Sequence, residues 1–332
     1  MPSTEADALP PVLLRSALLT EGLTADEIQR SRRNGTWQTL ARGAYCDAGI
    51  ASSLSKEQQH RLRARALAIR SPHLVLSHLS AATVLRLPLW RPGLEDVHLT
   101  RIGISGGRAT PGRVVHRAVL APSEIITVSG VRVTSMARTL VDIACTESMA
   151  SAVMAADAAL QRRWVSSPAL TEALDATGHR RGAAAARRAL RFADGRAESA
   201  GESMIRVTMQ SLGLPPPTLQ IRIYALDGTF LGRVDLGYPE LGVLFEFDGL
   251  VKYRKPFHPA QDPAQVVVEE KIREDRIRDL GYVVVRFVWA DLAEPAAVLA
   301  KVEAALARGR QVIANRGLAG TWSADPAFQI GS

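Results

Sequence analysis

With 332 residues, 47% of them hydrophobic and 22% charged, the chain has the make-up of a globular protein of two or three compact domains, and it holds no run of about 18 uncharged apolar residues able to span a membrane. Its N-terminus (MPSTEADALPP) lacks the basic and long apolar regions of a secretory signal, and two cysteines, Cys46 and Cys145, exclude a disulfide framework or a cysteine zinc site, so a cytoplasmic location is expected. The net charge of +8 is uneven: residues 1–195 carry 25 Lys and Arg against 16 Asp and Glu (+9), and residues 196–332 carry 16 against 17 (−1). The front of the chain is therefore the better candidate for a phosphate backbone, the alternative being a merely solvated Arg-rich surface.

Residues 12–50 read as a small helix-and-wing unit. One helix is expected over Pro11 to Leu19. Thr24 and Glu27 form a T-x-x-E capping box, which predicts a second helix from about Ala25 to Arg33, ended by the Asn34-Gly35 turn. This helix carries Arg30, Arg32 and Arg33. Trp37 to Leu40 and Ala44 to Cys46 then read as two short strands around Ala41-Arg42-Gly43. A basic helix followed by a hairpin is the outline of a winged helix-turn-helix, with Arg30, Arg32, Arg33 and Arg42 as its DNA-binding cations. The pattern GLTADEIQRSRRNGTWQTLARGAYC resembles the N-terminal domain of AbiEi-type antitoxin proteins of actinobacteria. That resemblance implies a winged helix able to repress its own operon.

Residues 51–195 read as an α/β middle region. Lys56 to Arg70 is an Arg-rich helix, and LVLSHLSAATVLRL is a strand turning into a helix. VHLTR, RVVHRAVL and EIITVSGVRVT are strands, the last a hairpin around Ser129-Gly130. Thr134 or Ser135 caps a helix through Ala144, and further helices run to about Phe192. The words LSHLSAA and VTSMARTLVDIA resemble segments of the same actinobacterial proteins. His78, His98 and His116 match no metal-ligand spacing, and isolated histidines on strands are read as structural or surface residues.

The chemistry is concentrated after Ala197. Ser199 and Glu202 form a capping box opening a helix to about Leu212, which Gly213 ends. Three strands follow: LQIRIYAL, FLGRVDLGY and VLFEFD. The first two join at Asp227-Gly228, a hairpin signal. If the loop Pro239-Glu240-Leu241-Gly242 is a simple hairpin, paired residues have numbers summing to 481, and Asp235 lies opposite Glu246. Asp248 shares the face of Glu246 by period-two alternation, and Val234, Leu236, Val243, Phe245 and Phe247 form the core face. Two opposed carboxylates repel, and a divalent cation such as Mg²⁺ or Mn²⁺ resolves the conflict, which points to phosphodiester hydrolysis. The alternative pairs Asp235 with Arg233 or Arg222 and leaves Glu246 exposed. Downstream, a helix is expected over Ala264 to Leu280 and a strand over Tyr282 to Val288. Lys271, Asp275 and Arg278 share one helix face, either as a solvated face or with Lys271 near the carboxylates.

The segment from Glu198 to Leu292, through the words AESAGESMIR, GRVDLGYPELGVLFEFDG, EKIREDRIRDLGY and VVRFVWADL, is similar to very-short-patch-repair-like endonucleases of the PD-(D/E)xK superfamily. The resemblance implies a restriction-endonuclease-like fold and metal ligation by Asp235 and Glu246. It places the helical glutamate of the family on Glu202, with Glu198 as substitute. The lysine position of the family is Asp248 in this chain, which leaves Lys271, or Lys252 on the DGLVKY loop, to supply the cation and Asp248 as a further metal ligand. The expected fold class is α/β (α+β), with a winged-helix unit over 1–50, an α/β middle domain over 51–195, a nuclease domain with a mixed sheet over 196–315 and a flexible tail over 316–332. The expected function is a Mg²⁺- or Mn²⁺-dependent DNA endonuclease or nickase, RNA not being excluded as substrate. The alternative is a non-catalytic AbiEi-type DNA-binding regulator. A toxin or operon partner and a homodimer stay open; a membrane partner is not expected.

Overall fold

The computed structural model describes residues 9–103, 107–249 and 263–325. The fold is α+β, with three sheets of mixed and antiparallel strands. Two compact units emerge, one from Met1–Ala152 with Pro168–Arg188 and the other from Val153–Ser167 with Ala189–Ser332.

The first unit begins with β1 (Leu13–Leu14), α1 (Arg15–Thr20), α2 (Ala25–Arg33), β2 (Trp37–Ala41) and β3 (Ala44–Asp47), whose strands form a sheet in the order β1-β3-β2. The Thr24–Glu27 capping box forms as its spacing predicts: Glu27 N–H donates to Thr24 Oγ1 at 3.2 Å and Thr24 N–H to Glu27 Oε2 at 2.8 Å. Leu18, Ile28 and Tyr45 make a small core with Leu13, Leu23 and Trp37 around them. The helix expected over Pro11 to Leu19 starts later, because Leu13 and Leu14 pair with Tyr45 and Ala44 instead.

After α3 (Ala48–Ser53) and α4 (Lys56–Arg70) come β4 (Leu74–Leu76), α5 (His78–Val84), β5 (Val97–Ile102), β6 (Arg108–Thr110), β7 (Arg113–Ala118), β8 (Ile125–Val128) and β9 (Val131–Thr134). Their sheet runs β6-β7-β5-β4-β9-β8, parallel between β5 and β7 and between β4 and β9. Helices α6 (Met136–Thr146), α7 (Met149–Gln161), α8 (Ser167–Asp175) and α9 (Ala183–Phe192) follow. Ser135 caps α6, its side chain accepting from Arg138 N–H.

The second unit is built on α10 (Ala200–Ser211), β10 (Thr218–Ala225), β11 (Phe230–Tyr238), β12 (Val243–Asp248), α11 (Pro263–Asp279), β13 (Val283–Val288), α12 (Pro295–Arg316) and β14 (Gly320–Ala324). The sheet order is β13-β12-β11-β10-β14, with only β12 and β13 parallel among these pairs. The turn after β11 is a 3-10 turn, Pro239–Leu241, closed by Gly242 at φ 67°, a left-handed conformation that favours glycine. The pairs Leu236↔Phe245, Gly237↔Leu244 and Tyr238↔Val243 keep the sum of 481 that the hairpin length predicts. The segment expected as a loose tail is corrected in part: Gly320 to Ala324 form an edge strand paired with β10.

Two helices cover opposite faces of β12. A Cβ on Gly201 of α10 would lie 2.1 Å from Phe247 Cδ1, so α10 presses backbone against the face carrying Phe247. Leu244, one step out of phase with Phe247, joins Ile277 of α11, Val234, Val284 and Tyr282 in the core of the other face, so Val234, expected on the face of Phe247, lies opposite it.

Candidate metal site on the five-stranded sheet

Glu202 sits in the first turn of α10, whose N-terminus is fixed by Glu202 N–H donating to Ser199 Oγ at 3.1 Å. The reciprocal half of the expected capping box is displaced by one residue, since Glu202 Oε2 accepts from Glu198 N–H at 3.0 Å. The same oxygen accepts from Gln220 Nε2 at 3.0 Å. Glu202 is 4% exposed. Burial, and next the charge of Asp235, push its carboxyl up to about 7.

Asp235 and Gln220 face one another across β11 and β10. The flanking pairs are Leu219↔Leu236 and Ile221↔Val234, and the ladder skips the position between them. Gln220 there adopts φ 52°, an uncommon backbone for a non-glycine residue. Its side chain is buried, and its Oε1 accepts no hydrogen bond from the described residues. A buried acceptor without a partner costs about 1–3 kcal/mol. Asp235 Oδ2 accepts from Phe247 N–H at 2.9 Å, so the strand edge itself orients this carboxylate. The carboxylates of Glu202 and Asp235 and the amide oxygen of Gln220 are oxygen donors of the kind that suits a hard divalent cation.

Glu246 does not complete this set in the expected way. The Asp235–Glu246 opposition predicted from register stops one pair short, at Leu236↔Phe245. Glu246 shares the face of Leu244, where α11 lies, and its two oxygens meet Arg273 Nη2 at 2.6 Å and Arg286 Nε at 3.3 Å. Arg273 also donates to the Arg233 carbonyl at 3.0 Å and to Glu270. The repulsion inferred for Glu246 is thus relieved by two guanidiniums, one from α11 and one from β13, while the carboxylate that acts on Asp235 is Glu202. The exposed-Glu246 alternative also fails: Glu246 is buried, Arg233 pairs with Glu198 at 2.7 Å, and Arg222 pairs with Asp325 at 2.8 Å. Glu198 is therefore occupied by Arg233 rather than standing in for Glu202.

Among the expected cations, Lys271 is exposed, and the side of α11 turned to Glu246 is that of Arg273. Two residues along a helix are about 200° apart, so one of them faces the carboxylate only if the other faces away. Lys252 lies outside the described residues. Asp248 is half-buried at the end of β12, opposite Val288, and shares the face of Glu246 by alternation. Sequence reasoning missed Gln220, Arg273 and Arg286. A glutamine between Leu219 and Ile221 in an apolar strand was the available signal for the first; the arginines needed the helix phase.

In the first unit, Arg30, Arg32, Arg33 and Arg42 are all exposed. Arg32 is partly committed, donating to Gln29 at 2.8 Å and lying 5.7 Å over the Tyr45 ring, so it ties α2 to the hairpin. Both cysteines are free, with Cys46 buried and Cys145 half-buried. No helix among the described residues is long and apolar enough to cross a membrane.

No family model matches the chain. Two uncharacterised proteins of Mycobacterium tuberculosis strains, MT2308 and Rv2248, are each 34% identical to it over 204 residues, which is 61% of this chain and 71% of theirs. The crystal structure of the RV2827C protein from Mycobacterium tuberculosis aligns with 55% of this chain and 71% of its own, at 19% identity and a TM-score of 0.38. By the extent and identity of the first two matches, the chain belongs to the family of these uncharacterised mycobacterial proteins.

Proposed function

We propose that the second unit is a divalent-metal-dependent phosphodiesterase of nucleic acid, a DNA endonuclease or nickase acting in the cytoplasm. The observation that carries this reading is the buried Glu202, pushed up to about 7 beside Asp235 and hydrogen-bonded to Gln220, whose Oε1 accepts no hydrogen bond from the described residues. Such a constellation is costly in an empty protein and favourable around a cation. Glu202, Asp235 and Gln220 would hold Mg²⁺ or Mn²⁺, which supplies polarisation of a phosphoryl oxygen and a water of lowered pKa. Phe247 N–H keeps Asp235 oriented. Arg273 and Arg286 hold Glu246 in an ion-pair network with Glu270 and Glu274 on the α11 side of the sheet. The similarity to very-short-patch-repair-like nucleases and the exposed arginines of α2 support DNA as the substrate.

Two features favour a second reading, the non-catalytic AbiEi-type regulator: Glu246 is already neutralised by two arginines, and Asp248 stands at the lysine position of the resembled nucleases. Cleavage assays separate the two. Labelled single-stranded, duplex, mismatched and branched DNA, and RNA, are incubated with the full chain in Mg²⁺, Mn²⁺ or EDTA. The nuclease reading expects cleavage in metal and none in EDTA; binding without cleavage in any ion supports the regulator instead.

A further inference from the structure

Three histidines separated by 20 and 18 residues in the sequence converge in the first unit. His78 opens α5, His98 lies on β5 and His116 on β7. One ring nitrogen of each lies within 4.8 Å of the other two. His98 Nδ1 faces His116 Nε2 at 2.9 Å, and the His78 and His116 rings stack with centroids 3.7 Å apart. We propose that His78, His98 and His116 form a three-histidine site for a divalent transition-metal ion of the zinc class, with its open coordination position towards an arginine-lined cavity.

The donor set and its spacing carry the proposal. Imidazole nitrogens suit zinc-class ions, and three protein ligands with a vacant fourth position are the pattern of a reactive rather than a purely structural site. Metal–nitrogen bonds of about 2.0–2.1 Å in a tetrahedron place the nitrogens about 3.4 Å apart. The facing nitrogens of His98 and His116 share one proton at 2.9 Å; an ion replacing that proton needs them to part by about half an ångström, with His78 moving inward. Burial lowers the proton affinity of all three rings.

The surroundings fit as well. His78 takes a left-handed backbone, φ 51°, and its Nδ1 lies 2.9 Å from Ser77 Oγ, which accepts from the Thr100 hydroxyl at 2.8 Å. Asp142 Oδ2 lies 4.0 Å from the same Nδ1, is buried, and accepts no hydrogen bond from the described residues. A hydroxyl hydrogen-bonded to the other nitrogen of a ligating histidine is what orients such a ring, and Asp142 adds a negative charge near it. Arg138 and Arg180 would repel a cation, but their charges are matched by Asp142 and Glu124: Arg138 Nε meets Asp142 at 2.9 Å, Arg180 meets it at 3.1 Å, and Arg138 Nη1 meets Glu124 at 3.0 Å. The cavity, about 530 Å³, is lined by His78, His116, Arg138, Asp142, Cys145 and Arg180 among others. A fourth ligand entering there meets guanidinium edges, which suits an oxyanion.

The test uses the full chain carrying Glu202→Gln and Asp235→Asn, so that metal at the carboxylates does not interfere. Zn²⁺ titration by calorimetry should give one equivalent bound, and zinc X-ray absorption should show imidazole scattering from three nitrogen ligands. Adding His116→Gln should weaken binding by about 100-fold. The absorption measurement needs no histidine variant, so a misfolded His116→Gln leaves the test intact. Absence of Zn²⁺ binding, a spectrum without imidazole scattering, or unchanged affinity in a folded His116→Gln chain overturns the proposal and leaves a proton-sharing histidine cluster.

Discussion

Glu202→Gln should make the metal-free protein more stable at pH 8 and less responsive to metal. In the folded chain Glu202 titrates at about 7 against an ordinary 4.5, first because burial penalises the carboxylate and next because Asp235 is charged beside it. The difference, 7 − 4.5, at 1.36 kcal/mol per tenfold change in proton affinity, corresponds to about 3 kcal/mol. The folded-state value is raised, so between about pH 4.5 and 7 the folded chain holds a proton that the unfolded chain releases. The contribution of this group to stability is therefore complete below about 4.5 and lost as the pH rises to about 7. Glutamine keeps one acceptor for Glu198 N–H and Gln220 Nε2 but never ionises. In EDTA at pH 8 the variant should gain about 1–3 kcal/mol over the wild type, and near pH 4.5 the two should coincide. With Mn²⁺ at about 100 times its dissociation constant the wild type gains about 2.7 kcal/mol, and the variant far less. Urea unfolding followed by circular dichroism at both pH values, in EDTA and in Mn²⁺, measures all four quantities. A variant less stable than wild type at pH 8 in EDTA, or a difference independent of pH, would mean that Glu202 is not held as a destabilising carboxylate.

Gly201→Ala should destabilise the second unit by about 1–3 kcal/mol, because its Cβ would sit 2.1 Å from the Phe247 ring; urea unfolding checks this, and an unchanged midpoint would mean that α10 does not press on β12 as described. Lys271→Met should cleave at the wild-type rate, since Lys271 is exposed, whereas Arg273→Met should slow single-turnover cleavage by about 10- to 100-fold by releasing the Glu246 clamp. Reversing Arg30 and Arg33 to Glu should weaken DNA binding and lower its salt slope by about one unit for each phosphate no longer neutralised; an unchanged slope would remove α2 from the DNA-binding surface.

Local rules were enough to locate most elements of the second unit. Alternating residues bounded by Asp227-Gly228 and by Pro239 to Gly242 place β10, β11 and β12 within a residue of their observed limits, and the loop length sets their register. Capping signals did the same for α2 and α10. What the sequence hid depends on tertiary geometry. Gln220 leaves the regular strand at φ 52°, so alternation could not say that it meets Glu202. Which of Lys271 and Arg273 faces the sheet depends on how α11 docks, and the Lys271–Asp275–Arg278 stripe looks the same whether solvated or buried. The five residues of β14 have no pattern of their own; β10 supplies their partners. His78, His98 and His116 lie on three elements whose adjacency comes from the β7-β5-β4 order, and no spacing rule along the chain anticipates it.

If Glu202, Asp235 and Gln220 hold the metal ion that cuts nucleic acid, Asp235 is indispensable to cleavage. Single-turnover cleavage of labelled DNA by the full chain and by Asp235→Asn, at saturating Mn²⁺ and with the fold of both checked by circular dichroism, tests it most directly. Metal-dependent cleavage by the wild type is expected, together with a loss of at least roughly 10³-fold in Asp235→Asn, on the order produced by removing a metal-holding charge. A folded Asp235→Asn that cleaves at the wild-type rate would contradict it.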